Sequence, residues 1–204
     1  YEPLDPVRFI GNYSSGKMGF AIAEQAYLQG ADVTLISGPS HEQLNYNSIK
    51  LIRVTTANEM FEASLKLFKQ ANITIMSAAV ADYQPIEILS NKIKKKHAEW
   101  NLKLQKTTDI LFLLGKQKTK SQFLVGFALE TENEIENAHK KLKNKNADAI
   151  VLNSLNDTNA GFGFDTNKIT ILYKDGTTSK FELKNKKDVA KDIISFITDK
   201  IHEK

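Results

Sequence analysis

The sequence predicts an α/β fold built on a doubly wound, mostly parallel sheet, and three observations carry that expectation. Short β-branched and leucine-rich runs alternate with amphipathic stretches of helical length along most of the 204 residues. The runs at 73–79 and 123–127 are nearly continuous in apolar residues, as strands covered on both faces must be. A polar loop punctuated by Gly11, Gly16 and Gly19 leads straight into the first amphipathic stretch, the kind of junction at which such sheets bind anions.

Residues 1–12 hold two of the four prolines, Pro3 and Pro6, and read as an extended connector. From 15 to 29 the apolar residues Met18, Ala21, Ile22, Ala26 and Tyr27 recur at helical spacing, with Ser14 or Ser15 expected as the cap and Gly30 as the stop. A strand at 32–37 ends on Gly38-Pro39. A second strand at 49–54 precedes a helix at 58–70 whose buried side carries Met60, Phe61, Leu65 and Phe68. Strands at 73–79, 123–127 and 149–152 continue the alternation, the last two separated by a helix at 133–144.

Two segments break this pattern. Residues 81–105 lack helical periodicity and carry the cluster Lys92-Ile-Lys-Lys-Lys96, so they are expected to be a lid, a binding loop or disordered. Near the C-terminus, 168–173 and 178–183 alternate around Lys174-Asp-Gly176, an antiparallel hairpin expected either as a projecting dimer arm or as a plain extension of the sheet. An amphipathic helix at 188–202 closes the chain. The architecture expected is one domain over 1–204, a Rossmann-like, mostly parallel sheet with a C-terminal antiparallel hairpin arm.

An apolar content of 41% is ample for a packed core. The net charge of +4, from 28 basic and 24 acidic residues, suits an anionic small substrate at least as well as nucleic acid. No arginine-rich or aromatic-interleaved basic stripe points to nucleic acid. The absence of cysteine excludes disulfide scaffolds, Cys-based zinc sites and Cys nucleophiles, and permits a reducing compartment. With no apolar run of membrane-spanning length and no signal peptide, a cytoplasmic protein without membrane partners is expected.

Residues able to carry chemistry cluster where strands are expected to end. The loop of Ser14, Ser15 and Gly16 precedes a helix start, where unpaired N–H groups and the positive end of the helix dipole favour phosphate or carboxylate; the competing reading is an ordinary helix start. Asp82 lies just beyond a strand's carboxyl end, and the small residues at 78, 79 and 81 let a base or ribose lie against the backbone; a plain surface carboxylate is the alternative. Phe127 either stacks on a base or belongs to the core. Lys141 and Lys145, four apart on one helical face, either straddle a triphosphate or form a solvated face. The lysines from 92 to 96 are either a phosphate-closing lid or a solvated loop. His41, His97, His139 and His202 show no metal-ligand spacing, and neither a phosphate-binding Walker sequence nor a complete G-x-G-x-x-G is present.

The segment Asp5-Pro-Val-Arg-Phe-Ile-Gly-Asn-Tyr-Ser-Ser-Gly-Lys-Met-Gly19 resembles the signature of the bacterial phosphopantothenoylcysteine synthetases. Ala78-Ala-Val-Ala-Asp-Tyr83, Lys92-Ile-Lys-Lys95, Thr108-Asp-Ile110, Val125-Gly-Phe-Ala-Leu-Glu-Thr131 and Asn153 follow in that family's order, over nearly the whole chain. The resemblance implies a ligase of coenzyme A synthesis that joins 4′-phosphopantothenate to cysteine using CTP and Mg²⁺, through an acyl-cytidylate. It implies a homodimer, and a flavin-dependent decarboxylase domain fused upstream. By motif, Asn12 hydrogen-bonds the acyl intermediate and Lys92 reaches the reacting groups from a closing strap. Asp82, Phe127, Lys141 and Lys145 hold CTP beside the backbone of Thr108, Asp109, Ile110 and Leu111. Members of that family begin this domain with a strand and a glycine-rich turn ahead of Glu2-Pro3, which this sequence lacks; Tyr13 stands where His is common, and Ser154 where Asp is common. Two rival classes are a Rossmann-type NAD(P)-dependent oxidoreductase and a non-catalytic nucleotide-binding module.

Overall fold

A computed structural model describes residues 1–94, 99–154, 161 and 163–203. Its N-terminal part runs β1 (Glu2–Pro3), β2 (Phe9–Ile10), α1 (Lys17–Leu28), β3 (Thr34–Ser37), β4 (Lys50–Arg53), α2 (Ala57–Phe68), β5 (Ile73–Met76), β6 (Tyr83–Pro85) and β7 (Leu104–Lys106). Next come α3 (Ile110–Gln117), β8 (Phe123–Glu130), α4 (Glu134–Asn144), β9 (Ala149–Ser154), β10 (Thr166–Asn167), β11 (Ile169–Tyr173), β12 (Thr178–Lys180), β13 (Lys184–Asn185) and α5 (Lys186–His202).

Strict alternation along β8 and β9 makes this pair the centre of the fold. Phe123, Val125, Ala149 and Val151 point to one layer, where Ile22 of α1 and Val189, Ile193 and Ile197 of α5 cover them. Leu124, Ala128, Ile150 and Leu152 point to the other, against α2, α3 and α4. Leu124 and Ile150 are fully buried, each worth about 1.5–3 kcal/mol in apolar surface removed from water. The central sheet has the order β12-β11-β9-β8-β5, with β5, β8 and β9 parallel and β11 and β12 antiparallel. The result is a mixed α/β fold in which β5, β8 and β9 run parallel and, among the described residues, five helices cover both faces of the sheet.

The hairpin at 168–183 is not a projecting arm. β11 pairs along its length with β9, from Ile169↔Asn153 to Tyr173↔Ala149, and four of its five residues are buried. Its apolar alternation belongs to the core, so the hairpin extends the sheet. Within the 81–105 segment, β6 and β7 pair antiparallel, Tyr83↔Lys106 to Pro85↔Leu104, and with the described residues next to them form a flap. Lys95, Lys96 and His97 lie outside the described residues. Nor is residues 1–12 a bare connector, because β1 and β2 pair across a turn held by Asp5, whose Oδ1 accepts from the N–H groups of Val7 and Arg8.

Among the described residues β3 pairs only with β4, in parallel. Its other edge and the free edge of β5 face a common cavity of about 780 Å³, lined by Thr34–Ser37 on one side and residues 73–76 on the other. Helix α1 and the end of α5 (Ile194, Ile197) border it too, as does α2 (Met60, Phe68). Among the described residues no strand bridges the two edges.

Candidate active site

β5, β8 and β9 are parallel in the central sheet, and of the predicted site residues Asp82 lies on the loop after β5, while Asn12 to Gly16 lead into α1, Phe127 lies within β8, Thr108 to Leu111 open α3, and Lys141 and Lys145 lie at the end of α4. The first component is the loop 11–16. Its cap is Gly16 in the left-handed region (φ 86°), with no side-chain cap, so the expected Ser14 or Ser15 cap is replaced. The reason is close packing: a Cβ at Gly16 would lie 2.9 Å from Ser40 Oγ, and that hydroxyl donates to Ser15 O at 2.7 Å. Ser15 Oγ instead accepts weakly from Lys17 N, at 3.4 Å. Asn12 ties the loop to the end of β5, its Nδ2 donating to Ala79 O at 3.0 Å and Val80 O at 3.3 Å. Asn12, Ser14, Ser15, Gly16 and Phe127 all line the 780 Å³ cavity. Phe127 is half-buried there and also packs on the core, so both of its readings have a physical basis.

The second component lies beside the Ala81-Asp82 turn. Thr107 hooks onto it, its Oγ1 donating to Ala81 O at 2.6 Å and its N–H to Asp82 O at 3.0 Å. Two residues on, Asp109 caps α3 by accepting from Phe112 N at 3.0 Å, and its second oxygen pairs with Lys145. Burial alone would raise the Asp109 pKa; the Lys145 ammonium and the Phe112 N–H outweigh it and hold it below the usual carboxylate range. Burial pushes the Lys141 ammonium down, with Lys145 adding to the effect and Glu130, Asp109 and Asp82 opposing it. Asp82, Asp109, Lys141 and Lys145 therefore form one electrostatic cluster. Its geometry depends on Gly115: a Cβ there would lie 1.8 Å from Lys145 O, and Asn146 Nδ2 donates to Gly115 O at 2.7 Å. Thr108 is half-buried, whereas Ile110 and Leu111 send their side chains into the core, so only their backbone is available to a ligand.

Lys92 is exposed and lines neither the cavity nor this cluster. Its neighbour Ile93 is pinned to the N-terminal turn: Ile93 N donates to Asp5 Oδ2 at 3.1 Å, and Arg8 Nη2 donates to Ile93 O at 2.6 Å. The anchoring of a flap to a turn 85 residues earlier has no local signature in the sequence. Lys186 was also not foreseen as a site residue. It starts α5, lines the cavity and is buried. Among the described residues no three His, Asp or Glu side chains converge on a metal-sized space.

The profile of the DNA/pantothenate metabolism flavoprotein C-terminal domain matches residues 1–201. The chain belongs to that family. It is 44% identical over 196 residues to the coenzyme A biosynthesis bifunctional protein CoaBC of Bacillus subtilis (strain 168), across 96% of this chain and 48% of that protein. It is 52% identical over 201 residues to a cysteine/cysteine sulfinic acid decarboxylase from an unknown prokaryotic organism, across 98% of this chain and 56% of that protein. The domain thus spans about half the length of these curated relatives. A crystal structure of the C-terminal domain of CoaBC superposes with TM-score 0.83 at 40% identity, covering 100% of this chain and 91% of that one. A Cab2 mutant in complex with phosphopantothenate-cysteine shares the fold, with TM-score 0.76 at 16% identity, 99% of this chain and 83% of that one being covered. The resemblance read from the motifs of residues 5–19 and 78–153 is the relationship these comparisons give. Among the described residues no helix is long and apolar enough to cross a membrane.

Proposed function

We propose that this domain ligates 4′-phosphopantothenate to cysteine at the expense of CTP, in coenzyme A synthesis. The observation that carries the reading is the placement, beside the segment that follows β5, of a glycine-punctuated loop suited to an anion (Asn12 to Gly16) and of a lysine–carboxylate cluster (Asp82, Asp109, Lys141, Lys145). Membership of a family whose relatives include CoaBC supports it.

The pantothenate carboxylate attacks the α-phosphate of CTP; a P–O bond forms to the carboxylate oxygen, the bond to the β-phosphate breaks, and pyrophosphate leaves. The amine of cysteine then attacks the acyl carbonyl, loses a proton, and expels CMP. Both steps build charge on oxygen, so positioning and charge neutralisation account for the catalysis, with no protein nucleophile required. Lys141 and Lys145 neutralise the triphosphate, and its negative charge restores the Lys141 ammonium that burial disfavours. Phe127 packs on the base. Asn12 hydrogen-bonds the acyl intermediate through an amide whose longer bond, 3.3 Å to Val80 O, is the one to yield. Lys92 approaches on the flap. Asp82 offers a hard oxygen ligand suited to Mg²⁺ bound chiefly to triphosphate oxygens, where the ion would offset charge on the leaving pyrophosphate.

The same proposal gives the domain a further strand. Leu35 and Ile36 of β3 and Ile73, Ile75 and Met76 of β5 line the cavity between the two strands, and the Tyr1 nitrogen donates to Thr55 O at 2.7 Å, beyond the carboxyl end of β4. A strand running parallel to β3 and β5 and leading into Tyr1 would emerge at that end, joining the two sheets into one. The homodimer and an upstream flavin-dependent decarboxylase domain complete the proposal. The decisive assay supplies the full-length protein with phosphopantothenate, cysteine, Mg²⁺ and CTP and follows pyrophosphate and CMP. Stoichiometric release with formation of the amide supports it, and no product with any nucleoside triphosphate refutes it. CTP binding without turnover would favour a non-catalytic module, and hydride transfer from NADPH an oxidoreductase.

A further inference from the structure

The turn between β1 and β2 is built on a carboxylate whose side chain has no exposed surface. Asp5 Oδ1 accepts from the N–H groups of Val7 and Arg8 at 2.8 and 2.9 Å, which closes the turn. Its Oδ2 acts beyond the turn: it accepts from Ile93 N, 88 residues on, at 3.1 Å, with Arg8 Nε 3.6 Å away. The two oxygens thus serve two purposes, one local and one distant. Burial alone would raise the Asp5 pKa, but the N–H groups of Ile93, Val7 and Arg8 and the Arg8 charge outweigh it, so the group is ionised at neutral pH.

The flap is tied to this turn from both of its limbs. On the limb after β6, Leu89 N donates to Leu4 O at 3.0 Å, Ile93 N to Asp5 Oδ2, and Arg8 Nη2 to Ile93 O at 2.6 Å. On the limb before β7, the Arg8 guanidinium lies over the Trp100 ring, 5.8 Å from its centroid. Ile93 is therefore held through both its N–H and its C=O, and the Cα of Lys92 stands about 3.8 Å from its own. The far side of the same turn leads through β2 to Asn12, whose amide is bonded to Ala79 O and Val80 O. One turn is thus the common reference for Asn12 and Lys92, the two residues assigned to the reacting groups.

We infer that Asp5 is a positioning residue: its carboxylate anchors the flap at Ile93 and so sets Lys92 relative to Asn12 for turnover. The inference rests on the ligase reading above. Asp5 touches no substrate in this account and acts only through the flap. Asp5→Asn separates its two purposes. The amide oxygen still accepts from Val7 and Arg8, so the turn persists, while the NH₂ group meets Ile93 N–H and Arg8 Nε, donor against donor.

The test is a double-mutant cycle on turnover of phosphopantothenate, cysteine and CTP by the full-length protein, read together with hydrogen exchange at the Ile93 amide. Asp5→Asn should free that amide and lower kcat about 10- to 100-fold, as misplacing a reacting group by about 1 Å does, with the KM for CTP within about twofold of wild type. Lys92→Gln should lower kcat as well, and the double variant should be no slower than the slower single one, because a lysine that is absent cannot be misplaced. Losses that multiply, a wild-type kcat in either single variant, or an Ile93 amide as protected as in wild type each overturn the inference. Should Asp5→Asn unfold, Asp5→Ser, whose hydroxyl also accepts a turn N–H, enters the same cycle. A wild-type protein without turnover defeats the ligase reading and the role of Lys92 with it; exchange at Ile93, which needs no substrate, tells that failure from a failure of the anchor.

Discussion

Gly115→Ala should damage both the fold and the nucleotide cluster, although it improves local helix propensity. In the interior of α3 the replacement of glycine by alanine is worth about 1 kcal/mol in favour of the helix. Against that, the new methyl group would sit 1.8 Å from Lys145 O, roughly 1.6 Å short of ordinary contact, and its obstacle is backbone rather than a side chain that can swing away. The end of α4 must move, straining the 2.7 Å bond from Asn146 Nδ2 to Gly115 O and pulling Lys145 from Asp109. Overpacking costs about 1–3 kcal/mol and a lost hydrogen bond about 1 kcal/mol, so the net destabilisation is about 1–3 kcal/mol. Urea unfolding reads it as a lower midpoint at unchanged slope. Gly38→Ala, at a position with open space around it, is the neutral control. The displaced Lys145 should raise the KM for CTP about tenfold while that for phosphopantothenate stays put. A Gly115→Ala midpoint at or above wild type would refute this reasoning.

Asp148, 1% exposed, receives Lys118, Lys174 and the Leu124 N–H. Burial alone would raise its pKa, but these partners together depress it. Its stabilisation is therefore complete above the unfolded-state value of about 3.9 and is lost as pH falls through the lower folded value. Asp148→Asn should cost about 3–5 kcal/mol at neutral pH and progressively less in acid, as measured by unfolding at a series of pH values; a pH-independent difference would contradict it. Gly16→Ala forces a side chain to φ 86° and against Ser40, costing about 1–2 kcal/mol and weakening phosphopantothenate binding, with Gly16→Asn milder; equal losses would point to the Ser40 contact alone. Asn12→Asp sets a carboxylate against the carbonyls of Ala79 and Val80 and removes a donor, so resolution of the intermediate should slow by about 10²-fold or more in single-turnover kinetics. Lys92→Gln should lower kcat with little change in unfolding midpoint, since Lys92 is exposed; wild-type kcat would remove it from the mechanism.

Periodicity made the central strands legible. Phe123 to Phe127 and Ala149 to Leu152 alternate between two layers, and the helices beside them follow apolar spacings that survive into the structure. What was not legible depends on partners distant in sequence. The β6–β7 flap has little apolar alternation because most of its residues are exposed, and it is placed by Asp5 and Arg8. Helix α3 is eight residues long and contains an interior glycine whose purpose is to admit Lys145 O. The hairpin's alternation is the same whether it projects or adds to a sheet, and only its pairing with β9 decides. In the site, Asp82, Lys141 and Lys145 stood out by position, and Asn12 by resemblance to a motif. The pairing of Asp109 with Lys145, 36 residues on, left no local trace. Lys186 is one lysine among many, and its burial, which sets it apart, appears only when the carbonyls of Gly161 and Phe164 come to lie against it.

The central claim, activation of the pantothenate carboxylate on the α-phosphate of CTP, is tested most directly by following oxygen. Phosphopantothenate labelled with ¹⁸O in its carboxylate is turned over with CTP and cysteine, and the products are examined by mass spectrometry. An acyl-cytidylate predicts one labelled oxygen in CMP for each amide formed and none in pyrophosphate. Unlabelled CMP, or label in inorganic phosphate, would contradict the account.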